Sequence, residues 1–123
     1  LQYRVFSAII SVIRKEFMGF GQVTPTALRL IKERGGICEV EGCYNNAVEA
    51  HHCLYGRKKG HPELDMDENL QLVCYACHYP TGKAKSFENK LNFWFRQCER
   101  YGHKHMVEWH SMVRLKMKER AYK

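Results

Sequence analysis

Two pairs of cysteines and a pair of adjacent histidines are the residues of this chain best suited to chemistry. Cys38 and Cys43 stand in a C-x4-C spacing, and Cys74 and Cys77 in a C-x2-C spacing further on. Each pair is a knuckle that lets both sulfurs reach one ion, and two knuckles complete a tetrahedron. Thiolate-rich tetrahedral sites suit zinc in a closed, structural role. Such an ion contributes on the order of 10 kcal/mol to folding, which a small mixed core can use. Two disulfides, or four unrelated core thiols, are the competing readings. Cys53 and Cys98 fall outside the pairs and read as plain core residues.

The histidines lie in the stretch VEAHHCLYG, residues 48–56. Neighbouring side chains of an extended strand point to opposite faces, so His51 and His52 can serve different partners. An imidazole is both a metal ligand and a proton acceptor that works near neutral pH. His78 directly follows the second cysteine pair, and Asn69 precedes a strand-like run, a common place for a turn asparagine. His61 lies in a loop and reads as exposed. His103, His105 and His110 have no partner spacing and read as surface or core residues.

Short strands over 47–51 and 70–74 are expected to carry this chemistry. The loop between them, LYGRKKGHPELDMDEN, is too long for a tight hairpin, and unstructured loops of that length are usually functional or disordered. A first helix is expected over 5–17, where Val5, Phe6, Ile9, Ile10, Ile13 and Phe17 share one face. A second opens at Thr24-Pro25 and stops at Gly35-Gly36, with Ala27, Leu28, Leu30 and Ile31 as its buried side. A third runs from a Ser86 cap to Gly102, with Phe87, Leu91, Trp94, Phe95, Cys98 and Tyr101 as its apolar stripe. A fourth covers 106–122, with Met106, Trp109, Val113 and Met117 on one side and Arg114, Lys116, Lys118 and Arg120 making the C-terminus basic. The parts are then an N-terminal helical segment, 1–34, a core, 35–82, and C-terminal helices, 83–123, within one domain.

Composition sets the surroundings. The chain has 123 residues, enough for one modest core. It opens at Leu1 rather than Met, as a fragment or a processed product would. Twenty Lys and Arg against 13 Asp and Glu give a formal net charge of +7. That excess favours an anionic partner, most often nucleic acid. Residues 5–13 faintly resemble the apolar core of a secretion signal, yet they run into Arg14-Lys15-Glu16 with no cleavage site and are too short to span a bilayer. No membrane partner is expected, and a reducing, cytoplasmic setting is, where cysteines serve as ligands more often than as disulfides.

The order of parts is a cysteine knuckle, a strand ending EAHH, a loop, ENLQLVC, and then CYACH. It resembles the HNH endonuclease family, whose shared unit is the ββα-metal fold. His51, His52, Asn69 and His78 carry the resemblance, framed by the four cysteines as in zinc-stapled members, over residues 35–82. The resemblance implies an α+β protein: a small ββα-metal core with zinc on Cys38, Cys43, Cys74 and Cys77, flanked by helices at both ends. It implies metal-dependent hydrolysis of phosphodiester bonds in DNA, double-stranded by expectation, with a homodimer as one possible assembly. His51 and His78 would hold the catalytic ion (Mg2+, Mn2+ or another divalent ion), and His52 would be the general base. Asn69 would hold the loop backbone so that His52 is aimed correctly. If the source is a phage, the setting becomes the host cytoplasm.

Rival readings share the same residues. His78 could replace a cysteine on the zinc. A zinc module could bind nucleic acid without cutting it, or the aromatic third helix could dock a partner protein. Arg57, Lys58 and Lys59 follow His52 closely, and Lys83 and Lys85 follow His78. All five read either as phosphate contacts, which position a duplex without choosing its sequence, or as solvated loop charges.

Overall fold

The structure is a computed structural model that describes residues 23–121. The helix expected over 5–17 lies outside these residues. Helices and a small two-stranded sheet make a mixed α+β architecture.

Helix α1, Pro25–Arg34, has the ends its sequence dictates. The Thr24 hydroxyl accepts from the Ala27 N–H at 3.1 Å, and Pro25 supplies the first turn, where no backbone donor is needed. Gly35 closes the helix at φ 98°, a conformation that only glycine adopts cheaply. Ala27, Leu30 and Ile31 are buried, whereas Leu28 is exposed. Leu28 lies off the stripe that Ala27, Leu30 and Ile31 form at helical spacing.

Strands β1, Glu49–His52, and β2, Leu70–Val73, pair antiparallel. The register sets Glu49 against Val73, Ala50 against Leu72, His51 against Gln71 and His52 against Leu70. β1 therefore starts later than the expected 47, and β2 stops before Cys74, which instead caps the next helix. Strand alternation divides the sheet into two faces. Ala50, Leu70 and Leu72 join Leu30, Ile31 and Ala47 in one apolar cluster under α1. On the other face Val73 packs with Cys38, Val40, Cys74, Cys77 and Ala84, while Gln71 pairs with Asn89.

After β2 come a one-turn helix, α2 (Tyr75–His78), a 3-10 turn at Lys83–Lys85, and two longer helices. These are α3, Phe87–Tyr101, and α4, His103–Ala121, with Gly102 alone between them. The Ser86 hydroxyl caps α3 by accepting from the Asn89 N–H at 3.0 Å. α3 does not bury the stripe its periodicity suggests. Its fully buried side is Asn89, Phe93 and Gln97, while Phe87, Leu91 and Phe95 are exposed. Trp94, Cys98 and Tyr101 do pack, against Met106, Trp109 and Val113 of α4. The face was set by polar pairing. Asn89 and Gln71 exchange side-chain hydrogen bonds at 2.8 and 3.0 Å, and Gln97 donates to the Asp67 and Glu68 carbonyls.

Glu39 ties these parts together. Its backbone N–H donates to the Leu72 carbonyl and its Oε1 accepts from the Leu72 N–H, both at 2.8 Å. The side chain thus does for the free edge of β2 what a third strand would do. The same carboxylate pairs with Arg34 of α1 at 3.1 Å and Arg100 of α3 at 2.7 Å. At the far end Arg120 is spent on buried Glu63 and on His61 Nδ1, so Arg120 is not a free surface charge and His61 is not exposed. Among the described residues, no helix is long and apolar enough to cross a membrane.

Removing one member of a buried charge network strands the others. Glu39→Ala should therefore destabilise the fold by about 3 kcal/mol. Glu39→Gln, whose amide oxygen still accepts from Leu72, should cost less. Equilibrium urea unfolding of the three chains measures this, and equal loss in both variants would contradict the strand-like role of the side chain.

Candidate metal centre and histidine cluster

The four paired cysteines meet. The sulfurs of Cys38, Cys43, Cys74 and Cys77 all lie within 4.8 Å of one another, close enough to hold one metal ion such as zinc. Local structure explains the convergence. The first knuckle turns back through a Cys43 N–H bond to the Val40 carbonyl at 3.0 Å, with Gly42 at φ 80° absorbing the tight turn. The second knuckle is the start of α2, where the Cys74 sulfur caps the helix by accepting from the Cys77 N–H at 3.4 Å. Val73, Ala84 and Val40 cover the cluster, which keeps it closed.

All six cysteines are free thiols, so neither pair is a disulfide. Burial pushes the Cys38 thiol well up, and it pushes Cys77 up to about 12. Burial also acts against ionising Cys74, but hydrogen bonds from the Cys77 backbone and the Asn45 amide outweigh it and hold that thiol below its ordinary value. Buried neutral thiols of this kind give up their protons to a dication, whose charge offsets the cost of the thiolates. The donor set and its burial fit a structural ion.

The histidines form a second group. His51 and His78 have ring centroids 4.9 Å apart. Each has one nitrogen already committed. His51 Nε2 donates to the Ala84 carbonyl at 3.2 Å, and His78 Nδ1 donates to the Glu49 carboxylate at 2.5 Å. His51 Nδ1 and His78 Nε2 are left as the acceptor atoms. Committing one ring nitrogen to a carbonyl or carboxylate is how proteins fix the tautomer of a ligating imidazole. Burial, with His78 and Lys85 nearby, pushes His51 down to about 4, so its ring is neutral at physiological pH, the ligating form. Among the described residues, no third His, Cys, Asp or Glu joins this pair in a metal-sized group. The metal-sized group is made of the four sulfurs without His78.

His52, the next residue, belongs to the opposite face of the sheet and bonds Asp65 Oδ1 through Nε2 at 2.8 Å. Asn69 is fully buried and uses its whole amide. Its Oδ1 accepts from the Leu54 and Tyr55 N–H groups at 2.9 Å, while its Nδ2 donates to the Tyr55 and Leu64 carbonyls at 2.9 and 2.8 Å. One side chain thereby fixes the loop that leaves β1. Arg57, Lys58 and Lys59 are exposed on that loop. Lys83 and Lys85 are exposed on either side of buried Ala84, whose carbonyl receives His51.

Two carboxylates of this group were absent from the sequence reading. Glu49 precedes His51 by two positions in a strand, so strand alternation could have found it. Asp65 sits at the end of the 3-10 turn Pro62–Asp65, and no spacing rule links it to His52. No family model, curated protein or solved structure matches the chain.

The cluster should carry about one tightly held metal ion per chain, measurable by elemental analysis after purification without added metal. Cys38→Ser should lose the ion and the cooperative thermal transition together. A chain free of metal that melts like one that holds it would contradict a structural role.

Proposed function

We propose that the chain is a metal-dependent endonuclease of the HNH kind, which hydrolyses phosphodiester bonds in double-stranded DNA. The observation that carries this reading is the trio of histidines. The His51 and His78 rings lie 4.9 Å apart, tilted 58° to each other, with one acceptor nitrogen each, while the adjacent His52 is held separately by a carboxylate. A module that only folds around zinc has no use for such an arrangement. In this reading the antiparallel strands and α2 are a small ββα-metal unit, and the thiolate cluster holds structural zinc.

His52 is the general base. It accepts a proton from a water whose oxygen bonds to phosphorus as the bond to the leaving 3′ oxygen breaks. His51 Nδ1 and His78 Nε2 would hold a divalent ion such as Mg2+ or Mn2+. When bound, that ion supplies positive charge opposite the developing negative charge of the phosphate. Ala84 and Glu49 orient the two rings, and Asn69 holds the backbone after His52. Arg57, Lys58 and Lys59 on the loop after β1, and Lys83 and Lys85 beside Ala84, are exposed and would contact phosphates, which would position the duplex and make binding weaken with salt. Free thiols throughout suit a reducing compartment such as the cytoplasm.

Supercoiled plasmid incubated with metal-loaded protein and Mg2+ or Mn2+ tests this, with EDTA as control. His52→Ala should keep fold and DNA binding yet lose about 10²–10⁴-fold in rate, the range for removing a general base. His51→Ala should lose cleavage through weaker ion binding, so that raising Mn2+ restores part of it. Variants that both cut like the parent would leave the alternative, a zinc-stapled module that binds nucleic acid without hydrolysing it.

A further inference from the structure

We propose that Asp65 is the positioning residue for His52: it fixes the imidazole with its proton on Nε2 and its lone pair on Nδ1, so that Nδ1 is the proton-accepting atom. This rests on the nuclease reading and goes beyond it by naming which nitrogen does the work and what selects it. A carboxylate only accepts a hydrogen bond, so the 2.8 Å contact between Asp65 Oδ1 and His52 Nε2 requires the proton on Nε2. When Nδ1 takes the proton from water, the imidazolium that results has its charge beside the Asp65 carboxylate. A carboxylate behind a catalytic imidazole does both of these things in hydrolase triads.

The fold shows that this contact is held in place. Asp65 has a side chain that is 65% exposed, and so open a contact contributes little to folding. Yet the two segments that form it are locked to each other by one buried amide. Asn69 accepts from the backbone of Leu54 and Tyr55, just after His52, and donates to the carbonyl of Leu64, the residue before Asp65. The same side chain therefore registers the segment of the base against the segment of its carboxylate. Cys53, between His52 and that anchored stretch, is buried, and its N–H donates to the Asn69 carbonyl at 2.9 Å. An exposed pair with a buried frame is suited to orienting a group that must also meet solvent and substrate.

The test compares the full metal-loaded chain with Asp65→Ala, whose exposed site should leave the thermal transition unchanged. Long-range nitrogen–proton correlation on histidine-labelled protein, in mildly alkaline buffer where a histidine ring is neutral, reads the tautomer of His52 directly. The parent should show the proton on Nε2 alone, and Asp65→Ala a mixture of both tautomers. In plasmid cleavage kcat should fall about tenfold, the smaller end of what a residue supporting a site histidine contributes, with KM within about twofold. An unchanged tautomer, an unchanged kcat, or a loss confined to KM overturns the role of Asp65 while leaving the nuclease reading intact. A parent chain that cuts no DNA overturns the nuclease reading and the positioning role with it.

Discussion

Four sulfurs within 4.8 Å of one another are the constraint on which the rest of this fold depends. A two-stranded sheet on its own is marginal in water. Here the segments leading into β1 and out of β2 are brought together by the first and second cysteine knuckles, so closing the cluster closes the sheet. Its register then fixes where the histidines stand, because strand alternation sends Glu49 and His51 to one face and His52 to the other. The cluster also places the third histidine. Cys74 caps α2 and Cys77 lies on it, so His78, the next residue, has no freedom to be elsewhere.

Around the sheet the fold is also specified by amides and carboxylates. Asn69, Gln71, Asn89 and Gln97 are buried, and each has partners for its amide. Glu39 serves Leu72, Arg34 and Arg100 at once. A buried polar network that is fully partnered rigidifies one arrangement and penalises every other, because a shifted register leaves several of its members unpaired. That rigidity suits a surface on which exposed groups must be held in a fixed relation, as His52 and Asp65 are by the buried amide of Asn69.

Where local rules governed, the sequence was legible. Thr24-Pro25 and Gly35 bound α1, and Ser86 and Gly102 bound α3, because caps and left-handed glycines act within a few residues. The cysteine spacings found the four-sulfur cluster for the same reason. Long-range polar pairing was what the sequence hid. Periodicity found only part of the packed side of α3, Trp94, Cys98 and Tyr101, because its most buried line includes Asn89 and Gln97, which count as polar in any hydrophobic pattern. Glu39, Asp65 and the His61–Glu63–Arg120 group were missed because their partners lie many residues away, and nothing in their spacing announces the contact. Glu49 was legible through strand alternation and went unread.

We propose that the chain has two distinct ion sites, a closed thiolate cluster and an open pair of histidines. Titrating metal-stripped protein with Co2+ under reducing conditions, followed by optical absorption, separates the two by ligand chemistry. The account predicts that about one equivalent brings in intense thiolate-to-metal bands with the visible bands of a tetrahedral ion. Further cobalt should then bind more weakly, with no gain in the thiolate bands, and this phase should disappear in His51→Ala. A titration that ends after the thiolate phase in the parent chain would contradict the account.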